Sequence, residues 1–127
     1  LVFNGLQHIG IPTIKFDESE DFYESLGFKL INSEINEGNK VAFYELNSLV
    51  LESWESEKEA AGKVGAINHI ALDTDDIEAA FDFVKKLGVE FVNTSINDLP
   101  YWEHGIKFFN FYGPNREIFE ICQIKRV

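Results

Sequence analysis

One register runs through this chain twice. His8, in Leu6-Gln7-His8-Ile9-Gly10-Ile11, and His69, in Ile67-Asn68-His69-Ile70-Ala71-Leu72, stand 61 positions apart. The same offset carries Phe22 to Phe83, Leu26 to Leu87, Gly27 to Gly88, Ile35 to Ile96 and Asn36 to Asn97. A register held over that span predicts two copies of one structural unit, and it constrains the fold more than any single motif. Module one covers about 6–54, a charged linker about 55–66, and module two about 67–123, within one domain over 1–127. Half of a 127-residue chain has a marginal core alone. The modules are therefore expected to stabilise each other or a partner chain, with a homodimer as the expected assembly.

Each copy opens on alternation. Gln7, Ile9 and Ile11 share one face of a strand over 6–12, and Leu6, His8 and Gly10 share the other. A residue without a side chain two places from His8 leaves room beside the ring; Ala71 repeats this beside His69. A helix follows. Asp17 with Glu20 reads as a capping box, and Phe22, Tyr23 and Leu26 form the apolar stripe. In copy two Asp75 with Glu78 opens the helix, and Ile77, Ala80, Phe81, Val84 and Leu87 make the stripe. Gly27 and Gly88 sit where a left-handed stop belongs. Three strands complete each copy, at 28–33, 41–46 and 49–54, then at 89–94, 106–111 and 117–123. Asn47-Ser48 and Gly113-Pro114-Asn115-Arg116 turn between the last two strands. The predicted fold class is α+β, two βαβββ modules.

The last strand of each copy holds an acid among apolar residues, Glu52 in Leu49-Val50-Leu51-Glu52-Ser53-Trp54 and Glu120 in Glu117-Ile118-Phe119-Glu120-Ile121-Cys122. An ionised carboxylate on a buried strand face is costly unless a cation compensates it. A lone histidine or glutamate on a strand is ordinarily structural or solvated. Two of each, at matching places in a repeat, point instead to a metal site if the two sheets face each other. The nitrogen–oxygen donor set suits Zn²⁺, Ni²⁺, Co²⁺, Mn²⁺ or Fe²⁺. Residues 97–105 are an insertion in copy two and a candidate substrate lid. There Tyr101, Trp102 and His104 are candidate substrate contacts, with Phe108 a further pocket residue. Cys122 shares the face of Glu120, where a packed thiol is its ordinary role.

Composition closes some routes. A formal net charge of −11 argues against nucleic acid or an anionic membrane as partner. Cys122 is the single cysteine, so no intrachain disulfide forms, which suits a reducing cytoplasm. No apolar run reaches membrane-helix length, and Leu1-Val2-Phe3 is too short for a signal segment. Twelve phenylalanines and no methionine predict a stiff aromatic interior.

The chain resembles the vicinal oxygen chelate superfamily of glyoxalase I, bleomycin-resistance proteins and extradiol dioxygenases. The resemblance lies in Gln7-His8-Ile9-Gly10-Ile11, Asp21-Phe22-Tyr23-Glu24-Ser25-Leu26-Gly27-Phe28, Asn68-His69-Ile70-Ala71 and Gly113-Pro114-Asn115-Arg116-Glu117-Ile118-Phe119-Glu120. It implies two βαβββ modules forming a cup around a divalent metal held by His8, Glu52, His69 and Glu120, with nickel or zinc the leading expectation. Dioxygenases and fosfomycin-resistance enzymes of the family use two His and one Glu, here His8, His69 and Glu120. Glyoxalase I adds a fourth ligand where Glu52 stands, and methylmalonyl-CoA epimerases usually place Gln there. Antibiotic-sequestering members generally lack the ligands.

The set is therefore most similar to lactoylglutathione lyase, a carbon–sulfur lyase that isomerises the hemithioacetal of an α-oxoaldehyde and a thiol through an enediolate. The resemblance makes Glu120 the base and Glu52 its counterpart. An epimerase, an extradiol dioxygenase, a fosfomycin-type resistance enzyme and a non-catalytic small-molecule binder are the alternatives. Glutathione-dependent members carry a basic residue four after the first histidine; Pro12 stands there. Lys63, Lys107 and Arg116 are the basic residues available in its place.

Overall fold

A computed structural model describes Val2 and residues 4–127. Leu1 and Phe3, of the stretch read as too short for a signal segment, lie outside the described residues. The chain divides into two compact units, Leu1–Gly62 and Lys63–Val127. Each is a βαβββ unit with one four-stranded sheet, and the fold class is α+β. Among the described residues no helix is long and apolar enough to cross a membrane.

Unit one runs β1 (Ile9–Thr13), α1 (Phe16–Ser25), β2 (Lys29–Asn36), β3 (Asn39–Leu46) and β4 (Leu49–Glu55), in the sheet order β1-β4-β3-β2. The first and last strands pair in parallel, with Ile9 opposite Leu51 and Gly10 opposite Glu52. Alternation sends Leu51, Ser53, Ala42, Tyr44 and Thr13 to one face, where all are buried. α1 packs there through Phe22 and Tyr23, with the Tyr23 and Tyr44 rings 5.4 Å apart. Burying side chains of this size stabilises by about 1.5–3 kcal/mol each. Ser53 Oγ, in the same layer, has no hydrogen-bond partner among the described residues.

Unit two repeats the plan with β5 (His69–Asp73), α2 (Ile77–Lys86), β6 (Asn97–Leu99), β7 (Ile106–Tyr112) and β8 (Ile118–Ile124), ordered β5-β8-β7-β6. Its core is the expected aromatic stack. Phe81 on α2 stands 5.0 Å from Phe109 and 5.3 Å from Phe91, and Phe111 stacks on Phe119 at 6.0 Å.

The structure shifts several local expectations. α1 has no side-chain cap: Lys15 occupies the cap position, and Asp17 lies inside the first turn. Thr13 Oγ1 instead accepts from the Lys15 N–H, which turns the chain into the helix. In α2 the cap is Asp76, one residue past Asp75, accepting from Ala79 N at 3.1 Å. Gln123 braces the same end, accepting from Ile77 N and donating to the Asp75 carbonyl. Both helices do stop at glycines of positive φ, Gly27 at 103° and Gly88 at 75°.

The strand expected over 89–94 does not form as a continuous strand. Val92 N donates to the Asn110 carbonyl and Tyr112 N to the Glu90 carbonyl, with a single bridge between Phe91 and Phe111. The Asn93 side chain then accepts from Asn110 N at 2.8 Å, taking a donor that a longer ladder would use. β6 at Asn97–Leu99 provides the fourth strand, so the first three residues of the expected loop are strand. β4 extends to Glu55, and the linker holds one helical turn, Ala60 N to the Ser56 carbonyl.

Candidate functional site

In each unit the sheet face turned away from the helix carries the predicted donors. In unit one, register puts Gly10, Glu52, Trp54 and Phe43 on that face. His8 stands immediately before β1, with Nε2 3.2 Å from Glu52 Oε1 and its ring edge-on to Phe43 at 5.7 Å. In unit two, Ala71, Glu120, Cys122 and Asn110 share the face. His69 opens β5 with Nε2 3.6 Å from Glu120 Oε1. Parallel pairing of the first and last strands explains both meetings: the residue two after each histidine lies opposite the glutamate, Gly10 by Glu52 and Ala71 by Glu120. The side chains are 38% and 25% exposed for His8 and Glu52, and 40% and 16% for His69 and Glu120. Both pairs are thus open to a small solute.

The other ring nitrogen of each histidine is also engaged. His8 Nδ1 lies 2.5 Å from Gln7 Oε1, and His69 Nδ1 lies 2.9 Å from Asn68 Oδ1. Each imidazole therefore faces two acceptor oxygens. A neutral ring has one N–H to give, so a carboxamide oxygen that takes it at Nδ1 leaves the Nε2 lone pair for a cation. This donor chemistry fits a divalent metal, with imidazole nitrogen and carboxylate oxygen meeting and the far nitrogen fixed by an acceptor. Among the described residues no three His, Cys, Asp or Glu side chains cluster in a metal-binding group; each unit brings together two.

The surroundings of the two pairs differ. Glu52 is opposite Phe43 and two residues from Trp54, both aromatic. Glu120 is opposite Asn110, whose Nδ2 approaches its Oε1 at 3.5 Å, and two residues from Cys122. Desolvation pushes the Cys122 thiol above its ordinary range, with the carboxylates of Glu120 and Asp73 adding to the shift, so this cysteine sits as a neutral thiol. The room expected beside His8 is filled, because the Trp54 ring lies over Gly10.

The remaining candidates are scattered. Trp102 and His104 line a cleft of about 440 Å³ with Asp98, Glu103 and Lys125, and neither His69 nor Glu120 borders it. Tyr101 is exposed in the same loop, and Trp102 takes a positive φ of 66°. Lys107 lies on the face opposite to Glu120's and reaches Asp98 at 3.8 Å. Arg116 is paired with Glu90 and lies 3.8 Å over the Tyr112 ring. Phe108 is opposite Cys122, on the face of Glu120. Gln7, Asn68, Trp54 and Asn110 also contact the two pairs or their strands, without a motif in the sequence that assigns them a role. The carboxamide before each histidine was the legible signal, since Gln7 and Asn68 are themselves 61 apart.

Comparison with known proteins is consistent across sequence and fold. Residues 5–121 match the model of the Glyoxalase/Bleomycin resistance protein/Dioxygenase superfamily. The uncharacterized protein YwbC of Bacillus subtilis strain 168 is 33% identical over 127 aligned positions, in a match that covers 93% of this chain and 96% of that one. A glyoxalase family protein from Enterococcus faecalis superposes with a TM-score of 0.78 at 19% identity, covering 96% of this chain and 99% of its own. The fosfomycin resistance protein FosX of Listeria monocytogenes, solved with Mn(II) and sulfate, superposes with a TM-score of 0.72 at 18% identity. That match covers 97% of this chain and 94% of FosX.

Proposed function

This chain belongs to the glyoxalase/bleomycin resistance protein/dioxygenase superfamily, and from that premise we propose that it is a metal-dependent lyase of glyoxalase I type. Its substrate is the hemithioacetal of an α-oxoaldehyde and a thiol, and its reaction shifts a proton between adjacent carbons. The observation that carries this reading is the duplicated pair: His8 with Glu52 and His69 with Glu120, each joining the start of its unit's first strand to its last strand. These four residues are the proposed ligands. They would hold a divalent ion, which would supply Lewis-acid polarisation of the substrate carbonyl.

The proton work falls to the carboxylates. Glu120 takes the proton from the carbon next to the carbonyl and returns it to the neighbouring carbon. Asn110, 3.5 Å from Glu120 Oε1, helps aim that oxygen. Glu52 is its counterpart, with Phe43 opposite it and Trp54 two residues on. His8 Nε2 faces Glu52 Oε1, and His69 Nε2 faces Glu120 Oε1. The proposed assembly is a homodimer, and nickel or zinc is the proposed metal.

Calorimetric titration of chelator-stripped protein with Ni²⁺ and Zn²⁺, beside a Glu52→Ala variant, tests the ligand set. One tight site per set of four ligands, weakened in the variant, supports the reading and leads to a methylglyoxal–thiol isomerase assay. Tight binding untouched by the variant removes Glu52 from the set. That outcome favours a fosfomycin-type enzyme with three ligands, for which Mn²⁺, the ion in the FosX structure, is the metal to try. No binding sinks the enzyme reading in favour of small-molecule sequestration.

A further inference from the structure

We infer that Gln7 and Asn68 are positioning residues, each holding the imidazole that follows it with Nδ1 protonated and Nε2 free for a metal. The inference rests on the reading of His8 and His69 as ligands. Its basis is the same contact made twice by different side chains, Gln7 Oε1 to His8 Nδ1 at 2.5 Å and Asn68 Oδ1 to His69 Nδ1 at 2.9 Å. In each case Nε2 is thereby turned to the glutamate, at 3.2 Å from Glu52 and 3.6 Å from Glu120.

Adjacent side chains within a strand point to opposite faces and cannot meet in this way. Here they meet because each histidine stands at the mouth of its strand: His8 directly precedes β1 and His69 is the first residue of β5. The preceding residue is outside the ladder, and its side chain can fold round to the ring. An amide oxygen fixes the ring without adding charge. Glu52 and Glu120 together balance a divalent cation, and a carboxylate at 7 or 68 would leave an excess negative charge. In a chain with 22 acidic residues, a neutral acceptor at both places is a distinct choice. An acceptor on the far nitrogen sets both the tautomer and the orientation of a ligating histidine.

The test uses Gln7→Leu and Asn68→Leu, which remove the acceptor at nearly constant size, and Gln7→Glu and Asn68→Asp, which keep it. Histidine ¹⁵N–¹H spectra of the metal-free protein should show a protected proton on Nδ1 of both His8 and His69. Gln7→Leu should lose it at His8 alone and Asn68→Leu at His69 alone, and the acidic variants should retain it. Calorimetry with Zn²⁺ should show each leucine variant binding about 10–100-fold more weakly. A bare Nδ1 in the wild type overturns the inference, as does wild-type protection and affinity in both leucine variants. If wild type shows the protected protons and loses them on substitution but binds no Zn²⁺, the orienting contacts stand and the ligand reading alone falls.

Discussion

The Trp54 indole lies against the backbone of Gly10, so close that a methyl group there would stand 2.8 Å from Cζ3 and 3.0 Å from Cη2. The same methyl would be 3.8 Å from Glu52 Oε1. Copy two accepts a methyl at the matching position, Ala71, because Cys122 replaces the tryptophan there.

Gly10→Ala should therefore displace the Trp54 ring. Overpacking a closed core costs about 1–3 kcal/mol. The clashing atoms here are the far end of a ring on a partly exposed residue, so about 1 kcal/mol is expected. Urea denaturation would read the stability, and Trp54 emission in a Trp102→Phe background would read the ring. Unchanged emission would mean that the indole does not rest on Gly10.

The cap of α2 separates two neighbouring aspartates. Asp76 accepts from Ala79 N, whereas Asp75 meets Gln123 through its backbone carbonyl. Asp76→Ala should cost about 1 kcal/mol and Asp75→Ala within about 0.5 kcal/mol. Equal losses in thermal or urea melts would contradict the assignment of the cap to Asp76.

Tyr44 gives the fold an alkaline limit. Its hydroxyl donates to Glu20 at 3.3 Å, and burial first, then the Glu20 carboxylate, push its pKa far above the ordinary tyrosine range. An unfolded tyrosine loses its proton near pH ~10, while the folded one keeps it. Stability from this group is thus complete below about pH 10 and falls above it, by about 1.4 kcal/mol per pH unit. Tyr44→Phe gives up the hydrogen bond, about 1 kcal/mol at neutral pH, and also the alkaline loss. The stability gap between wild type and variant should narrow between pH 8 and pH 11 in urea titrations. A constant gap would rule out Tyr44 as the group responsible.

Much of the fold was legible because the repeat and the alternation are local patterns repeated at fixed spacing. His8, Glu52, His69 and Glu120 stand out by equivalence in the repeat, and the parallel pairing of first and last strands explains why each His–Glu pair meets. What the pattern hid were competitions between side chain and backbone. Val89–Thr94 has a strand's composition, yet Asn93 takes the Asn110 N–H and ends the ladder. Thr13 turns the chain into α1 in place of the expected Asp17 cap. Trp54 filled the space that Gly10 was expected to leave, because cross-strand neighbours are invisible until register is known. Lys107 is one of the basic residues available in place of Pro12, but strand parity sends it to the face away from Glu120 and to Asp98.

The difference between the two glutamates bears on their roles. Glu120 has Asn110 beside it, and Glu52 has Phe43 in the corresponding place. Glutamine at 120 keeps an oxygen for Asn110 but can no longer accept a proton from carbon. Under the proposed lyase reading, Glu120→Gln should fold as wild type by circular dichroism and melt within about 1 kcal/mol of it. Turnover should fall by about 10²–10⁴-fold. Glu52→Gln, measured beside it, should weaken metal binding and lose less turnover per bound metal. Near wild-type turnover in Glu120→Gln with full metal loading would remove Glu120 from the base role and shift it to Glu52.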